Sequence, residues 1–544
     1  MAPATLIDSP QDIVPTKGVT RSKAGSADNT PLKNDGRLPV TLLSGFLGSG
    51  KTTLLENILT SPDHGLRIGV IVNDVSALNI DAALLSNHDV TSKQEQVVAM
   101  QNGCICCTLR GDLLEEVARL ANNKQVEYLV IESTGVSEPM QVAETFSEEF
   151  ADMHIAAGHD LEAEKEGDVE SNKRLAAILK AGGLSKVARL DTCVTVVDAV
   201  HFMQDFATAD FLVDRQEDVP QEDDRNISDL QVDQVEFADV VIVNKCDLVS
   251  KDEVNRIKGV VNKLNPGAKI FTTVKSRIDV KNILDTKLFS YENAALSAGW
   301  LKSLSEEISP ETEEYGIGNF VYRARRPFHP ARLWETIKNI FVVIQTEYLH
   351  PEDGMEVDDK ESDSEQDDDD DMDVDEDQPQ LNPKARLESK MADDTFGPLL
   401  RSKGFLWLAT RPTLFGEWSQ AGVMLTISGG DRWRCKVAEE EWPTNPEVRA
   451  AITKDFEGRW GDRRQEIVFI GQQMRSGGEQ RLRNKFDACL LNDEEFHLWE
   501  EAMESEDPEE KLQDLFEDGF EDWLDESEAH NHDGHDHSHI VEVS

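Results

Sequence analysis

The sequence predicts an α/β protein: a P-loop NTPase domain on a mostly parallel sheet, followed by a smaller α+β C-terminal domain. Three observations carry that prediction. Residues 45–52 read Gly-Phe-Leu-Gly-Ser-Gly-Lys-Thr, a complete phosphate-loop motif. Between residues 37 and 295, short apolar runs alternate with segments of helical spacing, the pattern of strands covered by helices on both faces. Strand-like alternation returns near Gly316 and again from Lys403.

The phosphate loop has the context it requires. Leu38 to Leu43 is an apolar run suited to a buried strand, and Thr53 to Leu59 has helical spacing. Gly45, Gly48 and Gly50 let backbone N–H groups crowd around phosphates. Phe46, Leu47 and Ser49 complete the cradle, Lys51 is expected at the β/γ-phosphates, and the Thr52 hydroxyl at Mg²⁺. The strands expected next are Arg67 to Val72, Gln96 to Met100, Tyr128 to Glu132, Cys193 to Val197 and Asp239 to Val243, with a helix over Leu113 to Leu120.

Two of those strands end in chemistry. Glu132 closes one of them and can hold the water shell of Mg²⁺, and Gly135 lets the backbone approach a γ-phosphate. The other runs into Asn244-Lys245-Cys246-Asp247. A carboxylate can accept both N1–H and N2–H of guanine, a donor pair that adenine lacks, so Asp247 argues for GTP over ATP. Asn244 and Lys245 would brace the base and the phosphate loop. Thr272 to Ser276 carries a weaker signal for base contact.

Cys104, Cys106 and Cys107 lie within four residues, beside Asn102-Gly103. Thiolates favour Zn²⁺, Cu(I) and Fe–S clusters. The spacing is too tight for a zinc-finger framework. Three thiolates leave a coordination position open, which suits an ion that must be released; buried packing and a redox pair are the alternatives. The C-terminal segment holds His530, His532, His535, His537 and His539, five imidazoles in ten residues. They can chelate a divalent metal, or simply solubilise a tail. His201 and His329 stand alone and are expected to be structural.

These residues resemble the CobW family of metallochaperone GTPases, in the subgroup of zinc-homeostasis chaperones and nitrile hydratase activators. The likeness rests on Gly45 to Thr53, Val72-Asn-Asp-Val-Ser76, Asn102 to Arg110, Glu132-Ser-Thr-Gly135, Ser137-Glu-Pro139 and Asn244 to Asp247. Gly404 to Ala409 and Gly416 to Ser419 resemble the family's C-terminal domain. The resemblance implies a GTPase that binds zinc through Cys104, Cys106 and Cys107 and delivers it to a client apo-metalloprotein. Cobalt is the rival ion, and a metal buffer or sensor without delivery the rival role. Ala77 stands where the family often has an acid, although Asp74 and Asp81 are present. Val136 follows Gly135 in place of a water-orienting Gln, so intrinsic hydrolysis is expected to be slow.

The formal charge of the 544-residue chain is −51. Residues 352–377 hold 17 acids and one Lys, and residues 493–528 hold 18 acids and one Lys. That balance argues against a nucleic-acid partner. Blocks of like charge are commonly solvated, so an insertion over 350–394 and an acidic, His-rich tail over 493–544 are expected to be outside the fold. Residues 151–188 and 207–229 read as polar insertions and 1–36 as a flexible lead, leaving domains at 37–295 and 316–480. Trp407, Trp418 and Trp433 are expected in the core, and Pro330 to Ile344 as an amphipathic helix. Seven cysteines without a spread framework suit a reducing compartment. No secretory signal or apolar run of membrane-spanning length is evident. The expected location is the cytoplasm, with nuclear entry left open.

Overall fold

Leu38–Ser44 forms strand β1, buried along its whole length, and the chain leaves it through the glycine loop into helix α1, Lys51–Thr60. The computed structural model describes residues 36–72, 89–92, 106–123, 126–133, 135, 138–147, 177–178, 181–212, 215, 225–291, 316–345, 383–439, 442 and 446–523. The chain divides into two compact units, Met1–Phe320 with Ile470–Met474, and Val321–Phe469 with Arg475–Ser544.

In the first unit, β2 (Ile68–Val72) and β3 (Asp89–Ser92) precede α2 (Cys106–Asn123), β4 (Tyr128–Glu132) and α3 (Pro139–Glu144). Then come β5 (Ala188–Asp198), α4 (Phe202–Phe206), α5 (Ile227–Glu236), β6 (Val240–Asn244), α6 (Lys251–Leu264) and β7 (Lys269–Thr272). The seven strands lie in the order β3-β2-β4-β1-β5-β6-β7, and every recorded pair is parallel. This is the mostly parallel α/β sheet that the alternation predicts. Period-2 patterning divides β1 between two cores. Leu38, Val40 and Leu42 meet Leu114, Val117 and Leu120 of α2, while Leu43 joins Leu54, Leu55, Ile58 and Leu59 of α1. Since β1 pairs with β4 on one side and β5 on the other, the loop after it emerges at mid-sheet, above the strands' C-terminal ends.

Helix starts follow side-chain capping. Asn226 accepts from the Asp229 N–H at 2.8 Å to open α5, and Ser250 from the Glu253 N–H at 3.2 Å to open α6. Beneath the sheet, the fully buried Asp191 accepts from the Tyr128 hydroxyl at 2.8 Å, the Thr286 N–H at 2.8 Å and Arg189 at 3.0 Å. One carboxylate thereby joins β4, β5 and the segment after β7.

The second sheet contains β8 (Ile317–Ala324), β9 (Val342–Gln345), β10 (Leu399–Leu406), β11 (Leu414–Ala421), β12 (Met424–Arg432) and β13 (Gln465–Gln472), in the order β8-β13-β10-β11-β12-β9. It is mixed: β10-β11 and β11-β12 are antiparallel and β12-β9 is parallel. Helices α7 (Pro330–Ile337), α8 (Pro383–Ala392), α9 (Pro446–Asp455), α10 (Glu479–Asp487), α11 (Asp493–Ala502) and α12 (Pro508–Leu515) complete the described α-helices. Trp407, Trp418 and Trp433 are buried, as expected. Phe486 of α10 touches Tyr322, Phe328, Phe396, Trp418 and Phe469 at ring separations of 5.1–6.4 Å. Among the described residues, no helix is long and apolar enough to cross a membrane.

The structure corrects several expectations. The helix expected over Pro330 to Ile344 stops at Ile337, because the β-branched run Val342-Val-Ile344 pairs with Met424–Ile427. The expected strand at Gln96 to Met100 lies outside the described residues, whereas Asp89–Ser92 supplies the edge strand. Residues 383–392, assigned to the acidic insertion, form α8, and Lys390 is buried there with its Nζ donating to the Leu399 carbonyl at 2.7 Å. Residues 493–515 are not tail: α11 and α12 bury Trp499, Ala502 and Leu512. Two of the acids on α11 meet arginines of the same unit, Glu495 chelating Arg332 at 2.6 and 2.8 Å and Asp493 bonding Arg326 at 2.8 Å. Within 207–229, Leu212 and Ile227 are buried and Phe211 bridges Asn226, so the ends of that stretch belong to the fold.

Asp239, just before β6, accepts from the Cys193 N–H at 2.8 Å, yet burial lifts its carboxyl to about 6 and nearby Asp191 adds to the effect. A folded pKa above the unfolded value favours the native state below about pH 4 and loses that contribution as pH rises through 6. Asp239→Asn keeps an acceptor and removes the charge. It is expected to raise stability at pH 7.5 by about 2 kcal/mol, with the gain shrinking at pH 5.5, as read by chemical unfolding followed at both values.

Candidate functional site

The loop between β1 and α1 is shaped by positive φ angles: 133° at Gly45, 69° at Gly48 and 108° at Gly50. A side chain at Gly45 would strike the Val196 carbonyl, and one at Gly50 would strike the Asn244 carboxamide. The backbone therefore wraps into a concavity at the head of α1, whose first turn carries no acid. Ser49 Oγ is buried there without a hydrogen-bond partner among the described residues. Lys51 is buried, and its Nζ donates to the carbonyls of Gly45 at 2.7 Å and Phe46 at 3.2 Å. Burial lowers its pKa to about 8, opposed by the nearby Glu132 carboxylate. An unmet hydroxyl, a helix N-terminus and a desolvated ammonium fit a phosphate group. Phe46 packs against Leu212, Ile227 and Leu230.

Thr52 Oγ1 donates to Glu132 Oε1 at 3.0 Å, joining α1 to the end of β4. Burial raises the Glu132 pKa, with Lys51 and the Thr52 bond pulling the other way. A hydroxyl and a carboxylate side by side are hard oxygen donors of the kind that hold Mg²⁺ together with water and substrate phosphates. Gly135 is buried, and its backbone comes so close to the loop that a Cβ would lie 2.8 Å from the Leu47 nitrogen.

On the other side of the loop, Asn244 at the end of β6 donates to the Ser49 carbonyl at 3.0 Å. Its Oδ1 accepts from the Ser276 N–H at 2.8 Å and Thr273 Oγ1 at 3.1 Å, and Ser276 Oγ donates to the Gly50 carbonyl at 3.0 Å. Lys245, at φ 60°, donates to Asp198 at 2.7 Å, and His201 bonds the same carboxylate at 2.8 Å. Burial disfavours the Asp198 charge, but bonds from His201, Lys245 and the Val200 N–H hold its pKa below the usual carboxylate value. Asp247 is exposed beside Leu248, which is 66% exposed. Leu47, Val200, Leu248 and Val274 are all exposed apolar side chains in loops following adjacent strands β1, β5, β6 and β7.

The fold thus brings the loop, Thr52, Glu132, Gly135, Asn244, Lys245 and Asp247 to one end of one sheet. It does not bring the metal candidates to view. Cys104 lies outside the described residues; Cys106 and Cys107 begin α2, with only their backbone described. The five tail histidines, from His530 to His539, also lie outside. Among the described residues no group of three or more potential ligands gathers for a metal ion.

Residues 39–162 and 156–272 match the family described as CobW/HypB/UreG, nucleotide-binding domain, and residues 376–490 match the Cobalamin synthesis protein cobW C-terminal domain. A Dictyostelium discoideum protein, zinc-regulated GTPase metalloprotein activator 1, is 38% identical over 470 residues, covering 85% of this chain and 82% of that one.

The chain belongs to the CobW family. A Sinorhizobium protein named zinc chaperone CobW is 27% identical over 240 residues, 43% of this chain and 58% of its own. The Zn(II)-bound crystal structure of the Escherichia coli GTPase YjiA covers 84% of this chain and 99% of its own at 19% identity, with a TM-score of 0.31.

Three residues of this CobW chain join the site with little signal in its sequence. Asp198 is an acid at a strand end, the signal that singled out Glu132, but it follows a strand read as ending at Val197. His201 does not stand alone; it bonds Asp198. Ser276 was visible only as part of a weak run, because its tie to Gly50 spans 226 residues.

Gly50→Ala is expected to break the Asn244–Ser49 and Ser276–Gly50 bonds together. The strained φ and the collision should cost about 2–3 kcal/mol, seen as a lowered thermal midpoint and weakened nucleotide binding in the same preparation.

Proposed function

We propose that this CobW-family chain is a GTP-hydrolysing metallochaperone that carries zinc on Cys104, Cys106 and Cys107 and hands it to a client apo-metalloprotein. The observation that carries this reading is the placement of the cysteine run. Cys106 and Cys107 open α2, the helix that leads directly into β4, and β4 ends at Glu132, which is bonded to Thr52 of the phosphate loop. A helix N-terminus stabilises thiolate over thiol. Along the chain, only α2 and β4 stand between the proposed zinc ligands and Glu132. The names of the Dictyostelium and Sinorhizobium relatives, a zinc-regulated GTPase activator and a zinc chaperone, support zinc as the cargo.

In this mechanism the polyphosphate enters the loop and Lys51 leaves the Gly45 and Phe46 carbonyls for the β/γ-phosphates. Ser49 Oγ gains the partner it lacks. Thr52 and Glu132 hold Mg²⁺, which when bound neutralises charge developing on the transferred phosphoryl. Asp247 accepts from N1–H and N2–H of guanine. Lys245, steadied by Asp198, lies along the base, and Leu248 and Val274 are exposed apolar side chains in the loops after β6 and β7. Val136, in place of a water-orienting Gln, makes intrinsic hydrolysis slow. Thiolate ligation needs deprotonated sulfur, so zinc affinity falls in acid.

Three measurements test the reading. With the chain ended at residue 523, changing Cys104, Cys106 and Cys107 to Ser should abolish stoichiometric zinc in a chelator competition; retention of full zinc would remove these cysteines from the site. In the unaltered protein the zinc affinity should differ between a non-hydrolysable GTP analogue and GDP, and equal values would leave a buffer rather than a gated carrier. Asp247→Asn should weaken guanine nucleotides about 100-fold, since two hydrogen bonds to a charged group are lost, while xanthine nucleotides gain affinity in the same competition assay.

A further inference from the structure

Gln234, on α5, is 1% exposed, and its Nε2 donates to the Gly135 carbonyl at 3.2 Å across 99 residues of sequence. Its own main-chain carbonyl accepts from Thr195 Oγ1 at 2.6 Å. Thr195 uses its single proton in that bond, so Ser44 Oγ donates to Thr195 Oγ1, at 2.8 Å. Ser44 is the last residue of β1, immediately before the phosphate loop. A continuous chain of buried bonds therefore runs from the root of the loop through β5 to α5, and returns to Gly135 beside Leu47 of the same loop.

Gly135 follows the strand that ends in Glu132, and Glu132 is bonded to Thr52. On the nucleotide reading proposed above, on which this inference rests, that is the end of the loop remote from Asp247, where the last phosphate of a triphosphate emerges. Gln234 also borders a cavity of about 180 Å³ lined by Phe46, Leu47, Phe202, Asp205 and Gln231. Gln231, one turn away on α5, is 6% exposed, and its Oε1 is buried without a partner among the described residues. The Gln234 amide thus holds the Gly135 carbonyl, while an unmet acceptor three residues away on its own helix lines the same cavity.

We propose that Gln234 is a positioning residue that reads the third phosphate. Its amide holds the Gly135 carbonyl, and so sets the backbone of that glycine toward the terminal phosphoryl. When that phosphoryl leaves, the Gly135 segment relaxes, Gln234 turns to Gln231, and α5 registers the change. The device discriminates triphosphate from diphosphate and sends the difference to the face of the domain formed by α4 and α5.

The test is Gln234→Met, which keeps length and removes the donor, measured with fluorescent GDP and a fluorescent non-hydrolysable GTP analogue on the full chain. Affinity for the analogue should fall about tenfold, affinity for GDP should stay within about twofold, and the KM for GTP should rise with it. Thr195→Val leaves the Gln234 amide in place but releases its main chain; it should shift the same analogue-to-GDP ratio in the same direction by a smaller factor, and it carries the test if Gln234→Met does not fold. A ratio unchanged in the folded variants, or an equal loss of both nucleotides, overturns the role of Gln234. Absence of guanine-nucleotide binding in the unaltered chain instead overturns the nucleotide reading itself.

Discussion

The nucleotide unit depends on the carboxamide of Asn244. Its Nδ2 grips the Ser49 carbonyl while its Oδ1 receives Ser276 and Thr273, so β6, the segment after β7 and the phosphate loop share one buried side chain. Within a low-dielectric interior an amide bonded at both its nitrogen and its oxygen is strong, and leaving any of its partners unpaired is costly. The glycine at position 50 exists to let that amide approach. Phosphate cradle and base motif are therefore one construction, and a change at either is felt at the other.

Around this joint, two acidic side chains each collect several donors. Asp191 collects Tyr128, Arg189 and the backbone of Thr286, and Asp198 collects Lys245 and His201. The second unit answers an excess of acid with arginine. There Arg464 lies between Glu466 and Asp455, and Arg411 grips the Asp518 carboxylate and the carbonyls of Phe520 and Glu521 with Trp523 over its guanidinium. Arginine forks match carboxylates and carbonyls in fixed geometry, which lets a strongly acidic chain fold its acidic C-terminal helices onto a sheet.

Legibility varied with the range of the interaction. The loop from Gly45 to Thr52, Glu132 and Asn244 to Asp247 were plain in sequence, because each lies at a strand end and its chemistry is local. Strands β1, β2, β4 and β6 were read to within a residue; β3 and β9 were missed, and β5 was read short because its first residues Ala188 to Thr192 include the charged Arg189 and Asp191. Acidity misled. Residues 493–515 look like a solvated tail by charge, yet Trp499, Ala502 and Leu512 carry a buried helical face that composition conceals. The run Val342 to Ile344 continues a helical pattern and becomes a strand only because β12 offers an edge. Such pairing is a tertiary fact, and short apolar runs fit either period.

By itself the sequence determined the α/β class, the nucleotide motifs and the thiol run, since backbone freedom at glycine, the phosphate charge and the softness of sulfur are properties of residue types at short spacing. Only the tertiary structure decided what those motifs lean on: the Phe46 ring against α5, Asp198 under Lys245, Ser276 on Gly50, and Gln234 on Gly135. Each of these joins residues that are far apart in the chain or on different elements. A hydrogen bond is decided by distance and angle in space, and residues so separated carry no local pattern that announces they will meet.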